Sequence, residues 1–152
     1  GHLQVNKVRQ AVPMFDLIHS VDSKKLLDEI EKVAAKHDKV QDILLQVNVA
    51  REASKSGMSV EEFPEVRDYA KTLPHVRVRG LMCMAPFFEN PEEARPIFRV
   101  AYVLYEDMKG YFPEGDIQYL SMGMTHDFEV ALQEGANIVR VGTAIFGERV
   151  YN

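Results

Sequence analysis

Five short apolar runs, at residues 16–20, 43–49, 76–84, 117–122 and 138–141, recur along the chain with a segment of helical period between each and the next. The first helical segment follows Asp22 and sets Leu26, Leu27, Ile30, Val33 and Ala34 along one side. The second follows the capping box Ser59-x-x-Glu62 and turns Phe63, Val66, Tyr69, Ala70 and Leu73 inward, with Pro64 set to delay its regular start by a turn. A third opens near Asn90-Pro91 or as late as Pro96, carries Ile97, Phe98, Ala101, Leu104, Tyr105 and Met108, and stops at Gly110. A fourth, capped by Thr125 and closed by Gly135, shows Phe128, Ala131 and Leu132. Strands separated by helices must run parallel and cross over right-handedly, which leaves an open doubly wound sheet or a barrel. The barrel is favoured, because polar or small residues mark the C-terminal ends of all the runs: His19-Ser20, Asn48, Cys83-Met84, Ser121 and Gly142-Thr143. A doubly wound sheet would gather them at one switch point. A full barrel takes roughly 250 residues, against 152 here. The expectation is therefore a single domain over residues 1–152, an α/β TIM barrel that is incomplete and lacks its first strands.

Composition excludes several classes of function. With 46% hydrophobic and 27% charged residues the chain has the make-up of an ordinary globular domain. A net charge of -5 without a basic run argues against a nucleic-acid binder. The longest apolar stretch, residues 81–88, is interrupted by Pro86 and is far too short to span a bilayer. Cys83 is the sole cysteine, which forbids an internal disulfide and suits an intracellular, cytoplasmic protein. The five histidines show no metal-ligand spacing with Cys83 or with one another, so no metal site is expected. Asp28, Glu29 and Glu31 fall between the apolar positions of the first helix and read as a solvated face.

The chemistry concentrates in the last quarter. The runs Leu120-Ser121-Met122-Gly123-Met124-Thr125 and Val139-Arg140-Val141-Gly142-Thr143 both end in small or hydroxylic residues, where main-chain N–H groups can be aimed at an anion. If residues 139–141 are extended, Arg140 and Gly142 share one face, opposite Val139 and Val141, and a permanent cation looks into the cavity. A lone Ser-x-Gly also ends a strand without binding anything, and an Arg on a barrel's outside serves as an ion-pair residue. The conjunction of Ser121, Gly123, Arg140, Gly142 and Thr143 is what favours a site. Met82, Met84, Met122 and Met124 suit core filling. Lys55, in a loop after a strand end, is a solvated lysine or a further phosphate contact, and His19 is the histidine best placed to face the mouth.

Six blocks carry a resemblance: Gly1-His2-Leu3-Gln4-x-Asn6-Lys7, Ile18-His19-Ser20-Val21-Asp22, Val47-Asn48 with Lys55-Ser56-Gly57, Arg79-Gly80-Leu81-Met82, the Ser121-Met122-Gly123-Met124 segment, and residues 140–147. Together they resemble the pyridoxal-phosphate homeostasis proteins, single-domain relatives of the alanine racemase N-terminal barrel also described as proline synthetase co-transcribed proteins. The resemblance implies a protein that holds pyridoxal 5′-phosphate at the barrel mouth and buffers or delivers it to apoenzymes, without turnover. It assigns the phosphate to Ser121, Met122, Gly123, Gly142 and Thr143 and the pyridine nitrogen to Arg140, with Met82, Met84 and Lys55 as further candidates. The family's Schiff-base lysine belongs to the first strand, so it is expected before Gly1 and no catalytic residue is carried over. Two other readings compete: a cofactor-dependent enzyme of the alanine racemase type, and a non-binding interaction module that self-associates through an open barrel seam.

Overall fold

The computed structural model describes residues 2–53, 56–148 and 150. Five strands, β1 (Leu17–Val21), β2 (Gln41–Val47), β3 (Val76–Cys83), β4 (Tyr119–Met124) and β5 (Ile138–Arg140), form one sheet in the order β1-β2-β3-β4-β5. Every neighbouring pair is parallel. Helices α2 (Lys24–Lys36), α3 (Phe63–Ala70), α4 (Arg95–Met108) and α5 (Phe128–Gln133) are the crossovers, with α1 (Val8–Met14) ahead of β1 and α6 (Thr143–Phe146) after β5. The strand order is sequential, with no reversal to create a switch point, so the doubly wound alternative is excluded.

Local chemistry places the crossovers. Ser23 caps α2 by accepting from Leu26 N at 3.1 Å, and loss of such a cap costs about 1 kcal/mol. The Ser59–Glu62 box closes reciprocally at 3.0 and 3.1 Å. Pro64 then sits in the first turn of α3, which begins at Phe63. Both starts foreseen for the third helix are used, since a 3-10 turn over Pro91–Ala94 leads into α4 at Arg95. Two expectations fail. Thr125 does not cap α5, which begins after Asp127, and Leu132 is exposed while Val130 takes its place in the core.

Helix α1 has no counterpart in the sequence reading, whose first helical segment follows Asp22. Pro13 lies within it and discourages a helix on sequence grounds. Tertiary partners supply what the local sequence lacks. Val8 and Val12 are fully buried against the core, Lys39 Nζ donates to Val12 O and, at 3.0 Å, to Phe15 O, and Gln41 Nε2 donates to Phe15 O and Asp16 O at 3.2 Å each. The carbonyls at the end of the helix are thereby satisfied by side chains from the far end of the first crossover.

One sheet face is the hydrophobic core. Ile18, Ile43, Leu45, Val78, Leu81, Leu120 and Met122 meet Leu27, Ile30, Val66, Phe98 and Ala131 of the helices there. The opposite face is concave. His19 on β1 and Ser121 on β4 lie three strands apart, about 14 Å in a flat sheet, yet His19 Nδ1 is 3.2 Å from Ser121 Oγ. Only a sheet curled as in a barrel brings two such short side chains together.

Candidate functional site

Register decides which residues share the concave face. Gln46 pairs with Met82 and Met82 with Ser121, so the three side chains line one layer across β2, β3 and β4. His19 joins it through Ser121. From β5, Arg140 reaches over β4, its Nη1 lying 3.3 Å from Met82 Sδ and its Nη2 donating to Cys83 O at 2.9 Å. The layer stands at the C-terminal ends of the strands, the end that carries function in parallel barrels.

This layer is polar and incompletely satisfied. Ser121 is wholly inaccessible, and Gln46 is 3% exposed. Among the described residues, the buried Arg140 Nε and Gln46 Oε1 have no hydrogen-bond partner, and no carboxylate forms an ion pair with Arg140. An unpaired buried donor costs about 1–3 kcal/mol, and Arg140 Nε is one that a bound ligand could satisfy; Gln41 Oε1, at the opposite end of β2, is buried and unpaired as well. Burial works against the charge on Arg140 and lowers its pKa from the ordinary arginine value. The guanidinium remains a cation at neutral pH. Burial, and then the positive charge of Arg140, lower the pKa of His19 as well. The Cys83 thiol is pushed up to about 12 by burial, so it stays protonated and inert.

Just above this layer two turns converge. The Thr125 hydroxyl accepts from Gly142 N at 3.2 Å, tying the end of β4 to the end of β5. Asp127 Oδ1 accepts from Met124 N at 2.8 Å, while Asp127 N donates to Met124 O at 3.1 Å, which fixes the turn that carries Thr125. A Cβ at Gly142 would meet nothing within 4 Å. The chain there leaves open space beside exposed backbone, room that a ligand group can take. Gly123 has a different reason to be glycine, because its φ is +100° and a Cβ would stand 2.7 Å from Ala131 Cβ. It lets α5 pack closely on β4, and ligand approach plays no part in that requirement.

The structure thus brings Ser121, Arg140, Gly142 and Thr143 to one end of the sheet, with Met82 on the concave layer beneath them. Met122 is placed otherwise. Its side chain is fully buried on the helix side, so any contribution to a ligand comes through its main chain. Met84 follows β3 and is half-buried, and Lys55 lies outside the described residues. Sequence reasoning missed the roles of Thr125 and Gln46. Gln46 was visible as one of two polar residues, with Asn48, at period two in an otherwise apolar run. Thr125 carried no signal to separate a cap from a link between strands. Among the described residues there is no cluster of three or more His, Cys, Asp or Glu able to hold a metal ion, and no helix is long and apolar enough to cross a membrane.

The family model described as alanine racemase, N-terminal domain, matches residues 1–150, and the chain belongs to that family. The pyridoxal phosphate homeostasis protein of Aquifex aeolicus is 48% identical over 151 residues, which cover 99% of this chain and 66% of that protein. Its namesakes in Haemophilus influenzae and Escherichia coli are 37% and 35% identical. The chain spans 64–66% of the length of these relatives. Among solved structures, PipY of Synechococcus elongatus without PLP superposes with a TM-score of 0.86 at 35% identity, over 97% of this chain and 68% of PipY. PipY with PLP bound gives 0.80 at 34% identity. A Chlorella virus arginine decarboxylase, at 17% identity and a TM-score of 0.68, shares the fold. The barrel expectation holds, with the five strands seen here forming a curled part of it.

Proposed function

We propose that residues 1–152 are one domain, a portion of a pyridoxal 5′-phosphate-binding barrel, and that the protein serves intracellular cofactor homeostasis by buffering or delivering the cofactor to apoenzymes without turnover of its own. The observation that carries this reading is Arg140: a half-buried cation with no carboxylate partner among the described residues and a buried, unpartnered Nε. It lies beneath two turns joined by Thr125 and Gly142. That donor set fits a ligand with an anionic end and a ring acceptor. Ser121 and the main chain at Met122, Gly123 and Thr143 would hold the phosphate, Gly142 would leave the space it enters, Arg140 would donate to the pyridine nitrogen, and Met82 would lie against the ring. Bound pyridoxal 5′-phosphate supplies a reactive aldehyde and an electron-withdrawing ring. A guanidinium at the ring nitrogen keeps that nitrogen unprotonated, which suits storage better than strong electron withdrawal. Relatives of similar sequence named as pyridoxal phosphate homeostasis proteins, and PipY solved with PLP, support the assignment. A cytoplasmic location and self-association along the edges of the sheet belong to the same reading.

The test is an absorbance and fluorescence titration of the purified protein with pyridoxal 5′-phosphate. Saturable binding weakened about ten-fold or more by Arg140→Met is expected, the weight of a charge-assisted hydrogen bond. Binding indifferent to Arg140→Met would overturn the reading.

A further inference from the structure

The contact between His19 and Ser121 is left unused by the site as assigned. A serine hydroxyl has a single proton. If that proton is donated to His19 Nδ1, Ser121 presents only lone pairs to the concave face and repels an anion. If Nδ1 carries the proton and donates to Ser121 Oγ, the hydroxyl proton is free to point elsewhere. The 3.2 Å separation admits both arrangements. Ser121 is wholly buried within β4, so water does not compete for the hydroxyl. The imidazole tautomer therefore decides whether Ser121 is a donor or an acceptor at the site. Burial, and then the neighbouring Arg140, favour the neutral ring, the form in which its tautomer is the variable that matters.

We propose that His19 is a positioning residue: protonated on Nδ1, it donates to Ser121 Oγ and turns the Ser121 hydroxyl proton toward the phosphate of the bound ligand. This rests on the phosphate-binding reading above. A ligand that needs the donor selects one tautomer, so occupancy and tautomer are linked. The arrangement gives the site a preference for phosphorylated over unphosphorylated vitamers, because the hydroxyl proton acquires a strong acceptor only when the phosphate is there.

Two measurements test it. The first needs no variant: 15N NMR of histidine-labelled protein, with pyridoxal 5′-phosphate and with pyridoxal as probes. Saturation with the phosphate ester is expected to move the His19 Nδ1 resonance into the protonated range, and pyridoxal is expected to leave it unmoved. An Nδ1 that stays unprotonated with the ester bound overturns the proposal. The second compares affinities for the two probes in wild type, His19→Ala, His19→Asn, Ser121→Ala and His19→Ala/Ser121→Ala. His19→Ala should lose about ten-fold for pyridoxal 5′-phosphate and nothing for pyridoxal. His19→Asn, whose amide N–H stands near the place of Nδ1, should restore most of it, and the double variant should be no weaker than Ser121→Ala. If His19→Ala keeps the wild-type preference for the ester, the role of His19 falls and the phosphate site stands. If wild type itself binds both probes equally, the site reading and the proposal fall together.

Discussion

The two ends of the concave face are built from similar residues and to opposite effect. At the N-terminal end, Asp42 on β2 accepts from Arg77 Nε and Nη2 at 2.7 and 3.0 Å and from Arg79 Nη1 at 3.1 Å. Arg79 also donates to Asp116 O at 2.8 Å and lies over the Tyr119 ring. Charge there is paired and the donors are used. At the C-terminal end, Arg140 has a sulfur, a carbonyl and an idle Nε. One end is closed by its own residues and the other is left for a partner molecule. Barrels of parallel strands keep stability at the first end and function at the second.

Mutation at the closed end should have the largest effect on folding. Asp42→Ala leaves Arg79, 13% exposed, and the half-exposed Arg77 facing each other without a counter-charge. Removing one partner of a buried pair costs about 3–5 kcal/mol, and the exposure of Arg77 brings the expectation down to about 2–3 kcal/mol. Urea unfolding measures it, and a loss below about 0.5 kcal/mol would show that the two ends do not differ in this way. The mirror experiment is Arg140→Met, which removes a charge that burial disfavours. Its stability should stay within about 1 kcal/mol of wild type, while affinity for pyridoxal 5′-phosphate falls. A variant that unfolds would make Arg140 a structural residue.

The open end of this contrast was legible in the sequence, for reasons that name themselves. Period two put Arg140 opposite Val139, and Val139 packs against the core while Arg140 contacts Met82. Strand ends were legible because small and polar residues interrupt apolar runs. What the sequence hid depends on curvature and on partners far along the chain. His19 and Ser121 are 102 residues apart and meet only because the sheet curls. Helix α1 depends on Lys39 and Gln41 for its terminal carbonyls, which no local pattern encodes. Gly123 carries a second demand that the sequence did not show, because α5 packs closely against it whatever its main chain does at the site.

Gly142 sharpens the comparison in a smaller way. Its φ of -111° is open to any residue and a Cβ would meet nothing within 4 Å, so Gly142→Val should change stability by no more than about 0.5 kcal/mol. The added side chain would occupy the space beside the backbone at the mouth and weaken binding of pyridoxal 5′-phosphate several-fold, with helix content by circular dichroism unchanged. Equal affinity in this variant would remove Gly142 from the site.

The smallest effect is on the pH dependence of stability, and its sign follows from His19. Burial, and then Arg140, hold its pKa in the folded protein below the ordinary 6.5. The unfolded chain therefore binds this proton more readily than the native one, and stability rises with pH across the interval from the native value up to 6.5. The full contribution is present above 6.5 and is lost as pH falls through that window. Three carboxylates held low by hydrogen bonds from arginines, Asp68, Glu92 and Glu134, contribute below about 4.5, and because wild type and variant share them they cancel in the comparison. Urea unfolding of wild type and His19→Asn at pH 7.5, 6.5 and 5.5 isolates the term. Wild type should lose stability relative to the variant between the first and last of these, because asparagine has no proton to gain. Parallel profiles would mean that the imidazole titrates alike in both states, and that the concave end is wetter than its buried serine implies.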